Sequence, residues 1–310
     1  MTIRRNAIGR MRPLHSHLSR VLMLVPMKKL ILATVVVALS AAAPAQAAVQ
    51  TKVVYGTGKT ETGSKQLLLD LYTPDARSKA KRPVVVLIHG GGFTGGTRTQ
   101  DALVRIAGGY VAQGAVVASI DYRVQKDKPV NSKRVKPLTD AVPKVPVYTA
   151  MVAAVQDTLT AVDYLKANAK KLNIDTDRLG LVGGSAGAIT ADHVAYVLDD
   201  IGIEKPKVRF VGDLWGGIFI PPAPSLERAA KQLDKGEAPL FAVHGDADPT
   251  VPVKLDDDLT ARAKAVGVKV EYHRVPGGKH GFGGTQFFTR KVTGGKTAYQ
   301  RLLSFSRASL

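Results

Sequence analysis

The run Pro83-Val84-Val85-Val86-Leu87-Ile88 constrains the fold more than any other stretch of the chain. It carries no polar side chain, so a strand built from it has no face to offer water and must be covered on both sides. That condition is met by a mostly parallel sheet lying between two layers of helices. The rest of the chain supplies the parts. Short apolar runs predict further strands at 53–55, 67–72, 115–120, 179–182, 208–212, 240–243 and 268–273, about eight in all. Between them, helices are expected at 101–113, 186–198, 225–233, 255–266 and 298–305. Another is expected where Val152, Val155, Leu159, Val162 and Leu165 recur every three or four residues on one stripe. This alternation gives an α/β sheet, and ligands of such sheets gather at the carboxyl ends of the strands.

The N-terminal part reads differently. Met27-Lys28-Lys29 precedes an apolar run over 30–43 and a small-x-small site at Ala45-Gln46-Ala47, the pattern of a cleaved export signal. The apolar run is short for a membrane span, so no stable membrane anchor is expected. Residues 1–26 carry five arginines and no acid, and read as a long basic leader or as a start placed upstream of Met27. Removal of 1–47 would leave 263 of 310 residues, 48–310, the size of one α/β domain. The expected location is periplasmic or secreted. There is no cysteine, so stability must come from packing. Residues 1–47 hold seven of the basic residues, so the net charge of +19 would fall to +12 on processing. The densest basic segment, Lys126 to Lys136, is broken by Pro129 and reads as a solvated loop. It has no interleaved aromatics, and no nucleic-acid partner is expected.

Four segments following predicted strands carry chemistry. Gly183-Gly184-Ser185-Ala186-Gly187 lies between a strand and a helix, where G-x-S-x-G forces a tight turn that lifts the serine hydroxyl into the open. The helix N-terminus favours negative charge on a reacting oxygen there. His89-Gly90-Gly91-Gly92-Phe93 leaves the strand at 83–88 through three glycines. Backbone N–H groups can approach an oxyanion only where side chains are out of the way, so Gly91, Gly92 and Ala186 are candidate oxyanion donors. His89 is expected to fix the loop by hydrogen bonding. The expected base is His280, on a glycine-rich loop after the last predicted strand. His193, inside a helix, and His273, inside a strand, read as packing or surface residues, and His244 as shaping the next turn. Asp246 and Asp248 both qualify chemically to orient His280; Asp248 is preferred, with Asp246 as a turn-former and Asp213 as a weaker alternative. Asp256, Asp257 and Asp258 look like a metal cluster but are expected in the first turn of a helix, where acids are favoured; no metal site is assigned. Phe93, Gly184, Trp215, Phe219 and Ile220 are candidate pocket residues.

In this order, with Asp121-Tyr122-Arg123 between them, these motifs resemble the HGGG-type esterases and lipases of the α/β-hydrolase superfamily, which include carboxylesterases, acetyl esterases and feruloyl or acetylxylan esterases. The resemblance runs from about residue 67 to 280. It implies a serine ester hydrolase with Ser185, Asp248 and His280 as the triad, no cofactor, and a small-molecule or polysaccharide-linked ester as substrate. It also implies that Asp121-Tyr122-Arg123 braces the sheet and the oxyanion loop. Gly184 and Ala188 depart from the family pattern, and only 125–147 and 218–236 offer material for a lid, so little or no cap is expected. A peptidase of the same fold and an inactive hydrolase fold used for binding are the competing readings.

Overall fold

The computed structural model describes residues 47–75, 78–219, 231 and 233–310. The export signal predicted at 1–47 therefore lies outside the described residues except for Ala47. So do most of the helix predicted at 225–233, Ile220, and much of the candidate lid at 218–236.

The described part is built on an eight-stranded sheet: β1 (Ala47–Thr60), β2 (Gly63–Pro74), β3 (Arg82–Ile88), β4 (Val116–Ile120), β5 (Ile174–Gly184), β6 (Phe210–Leu214), β7 (Leu240–Gly245) and β8 (Val270–Val275). Their spatial order is β1-β2-β4-β3-β5-β6-β7-β8. β1, β2 and β4 pair antiparallel, and the pairs from β4 through β8 are parallel. Five helices matter for the site: α1 (Asp101–Ala112), α2 (Pro146–Ala167), α3 (Ala186–Tyr196), α4 (Lys254–Ala265) and α5 (Ala298–Arg307).

β3 shows why the apolar run dictates two covered faces. Val84, Val86 and Ile88 enter one core with Val152, Val155 and Leu159 of α2. Val85 and Leu87 enter the other with Leu103 and Ile106 of α1 and Leu302 and Phe305 of α5. All five strand residues are fully buried, and each contributes about 1.5–3 kcal/mol of burial free energy.

The first hairpin is much longer than the predicted strands at 53–55 and 67–72. β1 is an edge strand with most of its side chains in water, so a polar sequence sufficed to build it. β6 starts two residues later than predicted, which puts Asp213 inside the strand rather than after it. The segment between β4 and α2 holds single turns at Gln125–Asp127 and Lys133–Val135 and a short helix at Lys136–Ala141. From Lys126 to Lys136 its basic side chains are exposed, with Arg134 on Asp163, Lys136 on Asp140 and Lys128 on Glu61. Exposed pairs like these are worth about 0–1 kcal/mol each. Among the described residues, no helix is long and apolar enough to cross a membrane.

One ion pair is of another kind. Arg123 and Asp157 are both wholly buried and meet at 2.7 Å, and Arg123 also donates to the carbonyls of Lys59 and Val130. The pair ties the first hairpin and the basic segment to α2. Removing one partner leaves an uncompensated buried charge, so Asp157→Ala is expected to lower the unfolding free energy by about 3–5 kcal/mol in urea titrations. A loss below about 1 kcal/mol would contradict this role.

Candidate active site

The turn at Ser185 is forced by close backbone approach. A Cβ on Gly187 would lie 2.1 Å from the carbonyl oxygen of Ile88 at the end of β3, and one on Gly183 would lie 2.2 Å from the backbone of Gly187. Only glycine fits at either position. The turn leaves Ser185 itself at φ 55° and ψ −123°, a left-handed conformation that costs about 1–3 kcal/mol in a non-glycine residue. The Ser185 N–H is held by the carbonyl of Leu214 at 2.9 Å, and α3 begins at the next residue.

The ends of β7 and β8 bring the partners. His280 Nε2 lies 2.9 Å from Ser185 Oγ, and His280 Nδ1 lies 2.7 Å from Asp248 Oδ2. The other Asp248 oxygen accepts the N–H groups of Thr250 (2.8 Å) and Val251 (3.0 Å). Desolvation pushes the Asp248 carboxyl up, but the hydrogen bonds from His280 and these two amides outweigh it and hold the group below the usual carboxylate range. Asp246, expected to shape its own turn, instead accepts the Gly277 N–H at 2.6 Å. Together with Ala247 N–H on the Gly278 carbonyl (3.0 Å), it clasps the Asp248 loop to the His280 loop.

The glycine loop after β3 stands opposite. Gly91 has φ 125°, and a Cβ there would meet the Gly95 carbonyl at 2.3 Å. Among the described residues, the N–H groups of Gly91 and Gly92 have no hydrogen-bond acceptor, and that of Ala186, opening α3, has none within its helix. His89 is buried, contacts the Gly90 carbonyl through Nδ1 at 2.8 Å and stacks on Tyr122 at 4.1 Å. Burial lowers its pKa and keeps the ring neutral. Tyr122 Oη–H donates to the His89 carbonyl (3.0 Å), and Asp121 receives Arg98. Asp121 and Tyr122 thus anchor the loop, while Arg123 braces the hairpin against α2.

Two cavities meet at Ser185. One of about 380 Å³ is bordered by His280, Gly184, Trp215, Leu103 and Ile106. The other, of about 260 Å³, is bordered by Phe93, Ala186, Ile189, Tyr148, Met151 and Phe219. Gly92, Ser185 and Thr250 border both. Of the candidate pocket residues, Gly184 and Trp215 line the larger cavity and Phe93 and Phe219 the smaller. Trp215 sits at φ 54° and packs edge-on against Phe282 and Phe287.

These features have a parallel among known proteins. The BD-FAE family profile matches residues 69–136 and 146–212. The chain is 30% identical over 121 residues to the carboxylesterase NlhH of Mycobacterium tuberculosis, covering 39% of this chain and 31% of that protein. Thermogutta terrifontis esterase 2, solved phosphorylated by paraoxon, superposes with a TM-score of 0.61 at 22% identity over 84% of this chain and 91% of its own. That esterase has also been solved with propionate and with butyrate bound. A truncated carbohydrate esterase from gut microbiota superposes with a TM-score of 0.61 at 19% identity, over 86% and 98%. The chain has the α/β-hydrolase fold. It spans about a third of the length of the curated relatives it matches.

Behind the site lies a polar group that the sequence reading missed. Asp256, Asp257 and Asp258 point three ways: Asp257 to Tyr272 and Arg274, Asp258 to Lys254, and Asp256 inward to His244 at 2.8 Å. Asp256 is fully buried, so first-turn placement explains little about it. Asp213, also fully buried, accepts the N–H groups of Gly216 (2.8 Å) and Gly217 (2.6 Å), and it interacts electrostatically with Asp256 and with buried Asp192. Burial first, and mutual repulsion after it, push all three carboxyls well above the usual range. The row therefore keeps protons that the unfolded chain releases above its ordinary aspartate pKa of 3.8. Folded-state binding of protons makes stability fall as pH rises from that value toward the raised folded values. Asp192→Asn is expected to flatten this fall and to raise the melting temperature more at pH 8 than at pH 5. An equal shift at both pH values would contradict the raised carboxyl.

Proposed function

We propose that this protein is an exported serine ester hydrolase acting on carboxylic esters of short acyl groups through an acyl-serine intermediate. The single observation that carries the reading is the unbroken contact from Asp248 through His280 to Ser185, at 2.7 and 2.9 Å. Ser185 Oγ attacks the carbonyl carbon while His280 Nε2 takes its proton. Asp248 keeps the imidazole in the tautomer that accepts at Nε2, and stabilises the imidazolium that forms. The developing oxyanion is met by N–H groups of Gly91, Gly92 and Ala186, each worth about 3 kcal/mol in comparable sites. His280 then gives its proton to the departing alkoxide, and water repeats the sequence to release the acid.

The proton transfer also assigns the cavities. The leaving oxygen must lie beside His280, which borders only the larger one, so the alcohol portion occupies the cavity of about 380 Å³. The acyl group then occupies the apolar cavity of about 260 Å³. This is smaller than the roughly 300–1,000 Å³ of sites for drug-sized ligands, and it suits short chains. The propionate- and butyrate-bound forms of the Thermogutta esterase support the short-acyl reading by likeness. The likeness to a carbohydrate esterase supports an alcohol portion that is a carbohydrate. Export rests on the leader pattern ending at Ala47.

A panel of p-nitrophenyl esters from acetyl to decanoyl tests the proposal. The wild type is expected to favour the shortest chains, and Ser185→Ala to abolish turnover while remaining folded. Asp248→Asn should lose about 10⁴-fold in kcat, and Asp246→Asn far less. Undiminished turnover in Ser185→Ala would reject the nucleophile, and the reverse order of the two aspartates would reject the chosen carboxylate.

A further inference from the structure

The triad contacts do not end at Asp248. His244 Nε2 lies 3.2 Å from Asp248 Oδ2 and 3.0 Å from the carbonyl of Val251, and His244 Nδ1 lies 2.8 Å from Asp256 Oδ2. The chain of close contacts therefore runs Asp256, His244, Asp248, His280, Ser185, with the His244, Asp248 and Asp256 side chains at 0% exposure. A second imidazole–carboxyl pair stands directly behind the first and shares its aspartate.

Hydrogen-bonding capacity decides where the protons sit. The Val251 carbonyl can only accept, so His244 Nε2 must carry hydrogen. The same Val251 residue donates its N–H to Asp248 Oδ1, which makes His244 a clamp on the loop that holds the triad carboxylate. If the imidazole is neutral, Nδ1 is then an acceptor and Asp256 brings the proton to that contact as the un-ionised acid. Its surroundings agree. Asp256 is surrounded by the acidic groups of Asp213, Asp192, Asp257 and Asp248. Burial and the charges of Asp192, Asp257 and Asp248 favour the protonated form and outweigh the hydrogen bond from Asp213, which favours the ionised one.

We propose that Asp256 is a positioning residue for the reaction. By donating to Nδ1 it fixes the orientation of the His244 ring, whose Nε2–H clamps the Asp248 loop from behind. The role rests on the reading of Ser185, His280 and Asp248 as the triad. Without the Asp256 donor, the buried Nδ1 loses its partner, the ring loses the contact that orients it from behind, and the Asp248 loop loses its inner tether. Asp256 touches neither substrate nor reacting atoms; it works only through His244.

Replacing the acid separates this role from plain packing. Asp256→Asn keeps the shape and can donate an amide N–H to Nδ1, whereas Asp256→Ala cannot. With p-nitrophenyl acetate, and with the concentration of folded sites set by active-serine titration, Asp256→Ala is expected to lose about 100-fold in kcat, the scale for misplacing a reacting group by about 1 Å. KM should change by less than about threefold, because neither cavity is lined by Asp256. Asp256→Asn is expected to recover most of that loss. An Asn variant as impaired as the Ala variant, or an Ala variant with wild-type kcat, would overturn the proposal. A second arm uses no ester: ¹⁵N NMR of histidine-labelled wild type at pH 7 should show His244 protonated at Nε2 and bare at Nδ1. Protonation at both nitrogens would overturn the assignment. If the wild type hydrolyses no ester, the functional reading fails while the NMR arm still decides the state of His244.

Discussion

The contact that organises the site is the approach of the Ser185 turn to the end of β3. Gly187 lies so near the Ile88 carbonyl that a single methyl group would drive the two apart. That proximity sets the serine beside the glycine loop that leaves β3 one residue later. The hydroxyl and the free amides are thus fixed by one backbone contact rather than by two independent loops. The parallel pairing of β3 with β5, with Ile88 opposite Gly183, holds the contact in register. The strain at Ser185 is sustained because both flanking positions and α3 leave the chain no other path.

Around this contact the protein places several charged and polar side chains out of water. Arg98 bridges Asp70 and Asp121 below the glycine loop, and Arg123 joins Asp157 below the hairpin. Among the described residues, no arginine is paired with the row of Asp192, Asp213 and Asp256. Its charge is relieved by holding protons. Asp213 uses its two oxygens to hold the turn that carries Trp215, and Asp256 uses one to hold His244. One buried group therefore touches both a cavity wall and the support of Asp248. Such networks specify a single arrangement when every member has its proton in place, and are costly when one does not.

The sequence was most legible where the chemistry is local. The unbroken apolar run at β3, the glycines flanking Ser185 and the triple glycine after His89 each impose a backbone conformation that nearby residues reveal. It was less legible where a side chain finds its partner across the fold. Asp246 and Asp248 share a turn and look equivalent, yet one bonds Gly277, 31 residues away, and the other His280. Asp256 follows the local rule for acids at a helix start, and only the packing of α4 against β7 shows that it is buried against His244. A buried histidine ending a strand, twelve residues before an aspartate in the next helix, is the signal that could have joined them. The long exposed hairpin escaped because an edge strand needs no apolar alternation.

We read Ser185 as a nucleophile made ready by His280 and open to solvent. Mass spectrometry of the intact protein after treatment with a fluorophosphonate tests it most directly. One adduct per chain, mapping to Ser185 and missing from Ser185→Ala, is the predicted result. No adduct on a preparation that hydrolyses esters, or an adduct that persists in Ser185→Ala, would contradict it.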